Sequence, residues 1–315
     1  MNDDDRLIGI PGDTFVDTDL VFPMSEDLPS GAWHVPEILR KLHAAGVDGR
    51  DVTVAVNDTS GESDHPFLPQ VKAGRIFTGE SSPRDGNGHG THCMGIVISV
   101  APKANLIAAK VLSNGGSGST TGINAGRVWA AEQGADVISE SLGDGGGPPI
   151  QADLVAYDKA YAAGVRICCA ALGNAGYNGS STIGRPGSYS DKNHGIAALT
   201  SDWRTIAGFS SGGPQAAYAS PGAGIISCKP GGGWVSMSGT SMATPWHAGF
   251  LALVISWRRR LGMPELVGPK AWTAWLSENG LLIDLGTPGW DPRFGLGRVD
   301  YVKAFNFMGK QLGLV

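Results

Sequence analysis

VTVAVND, residues 52–58, is a nearly continuous apolar run that ends on a carboxylate. A run this apolar marks a strand covered on both faces, so it predicts a central strand that delivers Asp58 at its carboxyl end. The same kind of run recurs as LIAAKVL (106–112), DVISESL (136–142), VRICCAAL (165–172) and GIAALT (195–200). Helix-like stretches separate them, chiefly INAGRVWAAEQG (123–134) and ADLVAYDKAYAAG (152–164). Strands alternating with helices imply right-handed crossovers, hence an α/β fold with a doubly wound, mostly parallel sheet flanked by helices. Ligands in such sheets bind outside the carboxyl ends of the strands.

A helix is expected over VPEILRKLHAAGV (35–47), with Ile38, Leu39, Leu42 and Ala45 at helical spacing and Gly46 as its stop. It opens a single domain spanning 35–315. With 42% hydrophobic and 17% charged residues, most of that domain is packed core. The 48 glycines sit at junctions between apolar segments, which excludes a collagen-like or low-complexity chain.

Residues 1–34 read as a separate acidic extension. The first 30 hold eight acidic side chains against Arg6 alone, so they carry −7 of a total of −5 and leave +2 on the rest. Overall acidity argues against nucleic acid as a partner and offers a membrane no basic handle. The start, MNDDDRLIGIPGD, has neither a basic nor an apolar signal segment, and no stretch reaches the roughly 18 apolar residues of a span, so a cytoplasmic location is expected. Cys93, Cys168, Cys169 and Cys228 show no metal spacing and are expected to be reduced. In a strand, adjacent Cys168 and Cys169 point to opposite faces.

Three polar stretches interrupt the apolar pattern where ligands are expected. Asp58 ends the first strand in AVNDTSG, and His89 lies in DGNGHGTHCMG (85–95), whose glycines let the backbone turn tightly before a helix over Thr91 to Ser99. Ser241 lies in GTSMATPWHAG (239–249), ahead of Met242 to Arg259, a helix with Ala248, Leu251, Val254 and Ile255 on one face. That helix is expected to start at Ser241, with Pro245 tolerated as a first-turn residue. Serine at a helix start has a positive dipole field and a backbone amide outside the helical ladder. It becomes a useful nucleophile when an imidazole takes its proton and a carboxylate orients that imidazole. Asn174 in AALGNAG (170–176) follows another strand and is a donor suited to a developing oxyanion.

Other chemistries fit less well. His89 and His92 are three apart without a third ligand in frame. A lipase-like site needs G-x-S-x-G, and NGGSGSTTG (114–122) lacks the ending of a phosphate loop.

Taken together, DGNGHGTHCMG around His89, GTSMATPWHAG around Ser241, VAVNDT around Asp58 and AALGNAG around Asn174 resemble the subtilisin-like serine proteases over about residues 35–305. The resemblance implies a subtilisin-like fold and an endopeptidase with Ser241 as nucleophile, His89 as base, Asp58 as its orienter and Asn174 in the oxyanion hole. It implies that peptide or protein substrates add as a β-strand between Gly116-Ser117-Gly118 and Ser141-Leu142-Gly143. The first side-chain pocket is then walled by Ser141 to Gly143, Ala170 to Leu172 and Gly184. A cis bond is implied at Arg185-Pro186, and Cys93 resembles the thiol that some members carry beneath the histidine. An esterase or acyl transferase on the same triad, or a non-catalytic binding protein of this fold, are the competing readings.

Several residues depart from the family pattern. Asn57 and Ser60 replace an apolar residue and a glycine around Asp58. Phe67 replaces a carboxylate after His65-Pro66, and Val97 to Pro102 lacks the calcium-binding loop. The chemistry is expected to need no cofactor, and the strongest calcium site of the family is expected to be missing, while the carboxylates elsewhere leave a weaker one open. Organisation is similar to the intracellular branch, whose short extension, matched by RLIGIPG, lies across the active site. That likeness implies that residues near Leu7 to Pro11 occupy the cleft as an autoinhibitory segment, and that the protein is a homodimer.

Overall fold

Side-chain alternation sets the layers. In the strand Thr53–Asp58, Val54 and Val56 join one apolar cluster and Ala55 another, because successive side chains leave opposite faces of a sheet. Cys168 and Cys169 divide between the same two clusters, and all four cysteines are free thiols in the buried interior. The computed structural model describes residues 6–9, 14–16, 37–61 and 65–315.

Seven strands form the central sheet in the order Tyr218–Pro221, His194–Leu199, Ile167–Ala171, Val137–Glu140, Thr53–Asp58, Asn105–Lys110, Val71–Ile76. Every neighbouring pair is parallel. The five expected strands occupy the middle. Both edge strands escape the sequence reading: Val71–Ile76 is half-exposed and carries Lys72 and Arg75, and Tyr218–Pro221 is short and closes on a proline.

Helices cover both faces. Thr120–Glu132 and Gln151–Ala162 pack on one side. On the other lie Glu37–Ala44, His89–Val100, Thr240–Arg260, Gly268–Glu278 and Tyr301–Gln311. The Thr240–Arg260 helix is buried from Thr240 through Arg258, so it is a core helix and not the one-faced helix its spacing suggests. Among the described residues, no helix is long and apolar enough to cross a membrane.

Among the described residues, three small sheets lie outside this frame. Ile225–Cys228 and Trp234–Ser238 form an antiparallel ribbon to which Thr14–Val16 adds, and Leu282–Ile283 pairs with Arg298–Val299. In the third, Arg6–Gly9 runs between Ser117–Ser119 and Leu142–Gly143, antiparallel to both.

Candidate active site

Asp58 is the last residue of its strand and faces the layer of the His89 and Ser241 helices. His89 Nδ1 donates to its Oδ1 at 2.8 Å, with Asp58 fully buried and His89 nearly so. That bond fixes the imidazole tautomer, leaving Nε2 as the basic nitrogen.

His89 itself begins its helix, two residues earlier than expected. The local cause is Asp85, for which the sequence reading had no role. Its Oδ1 accepts from Thr59 Oγ1 and Gly88 N, each at 2.8 Å, and from Asn87 N at 3.2 Å. Oδ2 accepts from Thr91 N at 2.8 Å and Thr91 Oγ1 at 2.6 Å. A carboxylate thus caps the positive end of the helix and ties it to the residue after Asp58. Gly90 permits the approach, since a Cβ there meets Ser60 O at 1.9 Å. Ser60 holds φ 114°, a backbone conformation that favours glycine, and its hydroxyl donates to Pro83 O at 2.6 Å.

His92 takes no part in a metal pair. Its Nε2 lies 3.0 Å from Ile225 O and 3.1 Å from Val235 O, and burial, helped by nearby His89, lowers its pKa to about 3. Cys93 lies beneath His89 as the resemblance implies, with Sγ 3.9 Å from Nδ1 and 3.6 Å from Ser241 O. Asp58, His89 and Cys93 bring donor atoms within 4.8 Å of one another. Burial pushes the thiol up to about 11, so at neutral pH it is a protonated SH and a weak metal ligand.

Ser241 is fully buried in the first turn of the Thr240–Arg260 helix, which begins one residue earlier than expected. Pro245 therefore lies beyond the first turn. Its missing N–H leaves Ser241 O without the usual i+4 donor, and that carbonyl instead accepts from Ser141 Oγ at 2.8 Å and contacts Cys93 Sγ. Ser241 Oγ in turn lies 3.4 Å from Ser141 O. Asn174 is oriented by the residue before the serine: its Oδ1 accepts from Thr240 N and Thr240 Oγ1, both at 3.0 Å. The amide nitrogen is left as the donor end on the other side.

The profile of the subtilase family, Peptidase_S8, matches residues 49–297. Subtilisin DY of Bacillus licheniformis is 40% identical over 226 residues, covering 69% of this chain and 81% of that protein. The intracellular serine protease of Paenibacillus polymyxa is 41% identical over 241 residues, 69% of this chain and 72% of that protein. Subtilisin E of Bacillus subtilis is 41% identical over 227 residues, 68% of this chain and 58% of that protein. The chain belongs to the subtilase family of serine protease hydrolases.

In this subtilase two of the segments expected to bind substrate flank one strand, Arg6–Gly9. Leu142 and Gly143 pair with Gly9 and Ile8, and Ser117 and Gly118 with Ile8 and Leu7. The strand runs Ser117–Ser119, one residue later than expected, because Gly116 closes a turn on Ser113 O at φ 79°. Ala170 and Leu172 are buried, and Gly184 N donates to Leu172 O at 3.2 Å. Gly184 also abuts the Ser141–Gly143 side, where a Cβ meets Asp144 O at 2.1 Å. The Arg185–Pro186 bond is cis. Beside it, the Arg185 guanidinium pairs with Asp144 at 2.6 Å, a contact the sequence reading did not foresee.

Phe67, a departure noted after His65-Pro66, packs edge-on against Trp234 at 5.0 Å, and the His89–Val100 helix is continuous. Of the leader, residues 1–5, 10–13 and 17–34, Ile10 and Pro11 among them, lie outside the described residues.

Proposed function

We propose that this subtilase is an endopeptidase that works through an acyl-enzyme. The observation that carries the reading is the Asp58–His89 bond of 2.8 Å, made within the pocket whose shared neighbour Cys93 also touches the Ser241 backbone. His89 Nε2 takes the proton as Ser241 Oγ attacks the scissile carbonyl, and Asp58 stabilises the imidazolium. Negative charge on the carbonyl oxygen falls to the Asn174 amide and the Ser241 N–H. His89 then returns the proton to the leaving amine, and water repeats the sequence on the ester. The chemistry needs no cofactor, and an intracellular site of action, the description borne by the Paenibacillus relative, belongs to the same reading.

A serine-directed phosphonylating reagent tests it. Expected is one adduct on Ser241, with peptides hydrolysed as well as esters; label elsewhere, or ester hydrolysis alone, overturns the endopeptidase reading. In subtilisin itself, loss of the nucleophile costs on the order of a millionfold in kcat, so Ser241→Ala should be inert.

The pairing of Arg6–Gly9 supports a second element, autoinhibition by residues 1–34. This segment is the middle strand between the two edges expected to hold substrate, so it uses the backbone donors and acceptors that a substrate strand needs. Thr14–Val16 adds to Trp234–Ser238, pairing Thr14 with Ser238 just ahead of Ser241. A chain beginning near residue 25 should hydrolyse peptides faster than the full chain, and equal rates refute this element.

A further inference from the structure

Asn57, where the family pattern has an apolar residue, is fully buried. Its Nδ2 donates to Glu140 Oε1 at 3.1 Å across two parallel strands in which the residues are register partners. Glu140 is equally buried and takes three further donors: Arg127 Nε at 3.0 Å, Arg127 Nη2 at 3.1 Å and the Tyr157 hydroxyl. Arg127 belongs to the Thr120–Glu132 helix and lies 3.8 Å over the ring of Tyr157 from the Gln151–Ala162 helix. From there the network runs through Asn193 to Pro186 O, beside Gly184.

Such a pair is a poor device for stability. Desolvating both charges consumes most of the Coulombic gain, and apolar residues of similar volume do as well or better. Asn57 adds to the cost, because its buried Oδ1 makes no hydrogen bond among the described residues. What the arrangement does supply is direction and register.

The residues that follow show what is held. Asp58 and Ser141 face the opposite side of the sheet, where Asp58 meets His89 and Ser141 meets Ser241 O. We propose that Glu140 is a positioning residue: through Asn57 and Arg127 it locks two strand ends to the helix layer behind them, so that Asp58 and Ser141 reach His89 and Ser241 together. Glu140 touches no reacting atom, and the inference rests on the triad reading above.

Asn57→Val cuts the tie between the strands and leaves the Glu140–Arg127–Tyr157 cluster paired. In the full chain, kcat should fall about tenfold with KM within about twofold. The low-field proton NMR resonance of the His89 Nδ1–H bond to Asp58 should move as well. A wild-type kcat with an unmoved resonance overturns the proposal. The combined variant Asn57→Val, Arg127→Met, Glu140→Met separates position from stability. It should resist denaturant at least as well as wild type yet be as slow as Asn57→Val, and a stable variant with full kcat overturns the proposal; if it does not fold, Asn57→Val decides alone. Wild type in parallel distinguishes the two readings. If neither it nor a chain beginning near residue 25 hydrolyses peptide or takes label on Ser241, the triad reading falls and takes this one with it, whereas an active wild type matched by Asn57→Val removes this one only.

Discussion

Asp85→Asn keeps the shape of a buried side chain while removing the charge that five donors share. One oxygen becomes an NH2 group, so either the Gly88 side or the Thr91 side then faces a donor instead of an acceptor. Hydrogen bonds to a charged group contribute about 1.5–3 kcal/mol each, and a carboxylate at a helix start up to about 2 kcal/mol more. Losing the charge everywhere and acceptance on one side comes to roughly 3–4 kcal/mol after allowing for non-additivity. Because Thr59 Oγ1 links Asp85 to Gly90 N at 3.0 Å, the same change loosens the His89 helix start against Asp58. A displacement near 1 Å can lower a rate about a hundredfold. Stability is best read by urea unfolding in a Ser241→Ala background, which the proposed mechanism makes inert, and kcat/KM in the Ser241 background. A variant within about 0.5 kcal/mol of its parent, with unchanged kcat/KM, refutes the argument that Asp85 organises this corner.

Two further outcomes test the interior. His194 Nδ1 lies 3.1 Å from His247 Nε2 and its own Nε2 3.2 Å from Pro269 O, while burial lowers His194 to about 4, His92 to about 3 and His247 well below its ordinary value. The unfolded chain therefore binds protons that the folded one refuses, so stability is fully present above about pH 6.5 and falls as pH drops toward 4, by up to about 1.4 kcal/mol per pH unit for each histidine. Urea midpoints at pH 7, 5.5 and 4.5 check this, and a slope that His194→Phe leaves unchanged refutes it. Gly90→Ala should cost more than about 3 kcal/mol, since its Cβ meets Ser60 O at 1.9 Å, whereas Gly208→Ala, with nothing within 4 Å, should be neutral or mildly stabilising; equal melting temperatures for the two refute the packing account.

How far the sequence carries depends on whether a residue's partner is close in the chain. The five central strands were legible because each is buried on both faces and so reads as an apolar run. The edge Val71–Ile76 was not, since it meets solvent and carries no such run, and neither was Tyr218–Pro221, which is buried but too short, and too mixed in its residues, to read as an apolar run. Asp58, His89, Ser241 and Asn174 stand out because small polar residues at strand and helix ends contrast with the core around them. Asp85 sits within a quoted motif, but its role depends on Thr59, 26 residues away, and on a helix start that the pattern placed too late. Asn57 was visible as a departure without a reason; Glu140, 83 residues on, becomes its partner only once strands 53–58 and 137–140 are known to be adjacent and in register.

Pro245 shows how a correct observation can carry the wrong consequence. Read as a first-turn residue, it is merely tolerated. Placed where the helix begins at Thr240, it removes the donor that Ser241 O would otherwise use, and a buried carbonyl left bare costs about 1–3 kcal/mol. Ser141 Oγ fills that vacancy at 2.8 Å, which binds the Ser241 backbone to the edge that pairs with Gly9 at the next residue, Leu142. The proline therefore turns a helical bond into a tertiary one. Its consequence is local rigidity between Ser241 and the strand beside Arg6–Gly9, where an intrahelical bond would have held Ser241 only to its own helix.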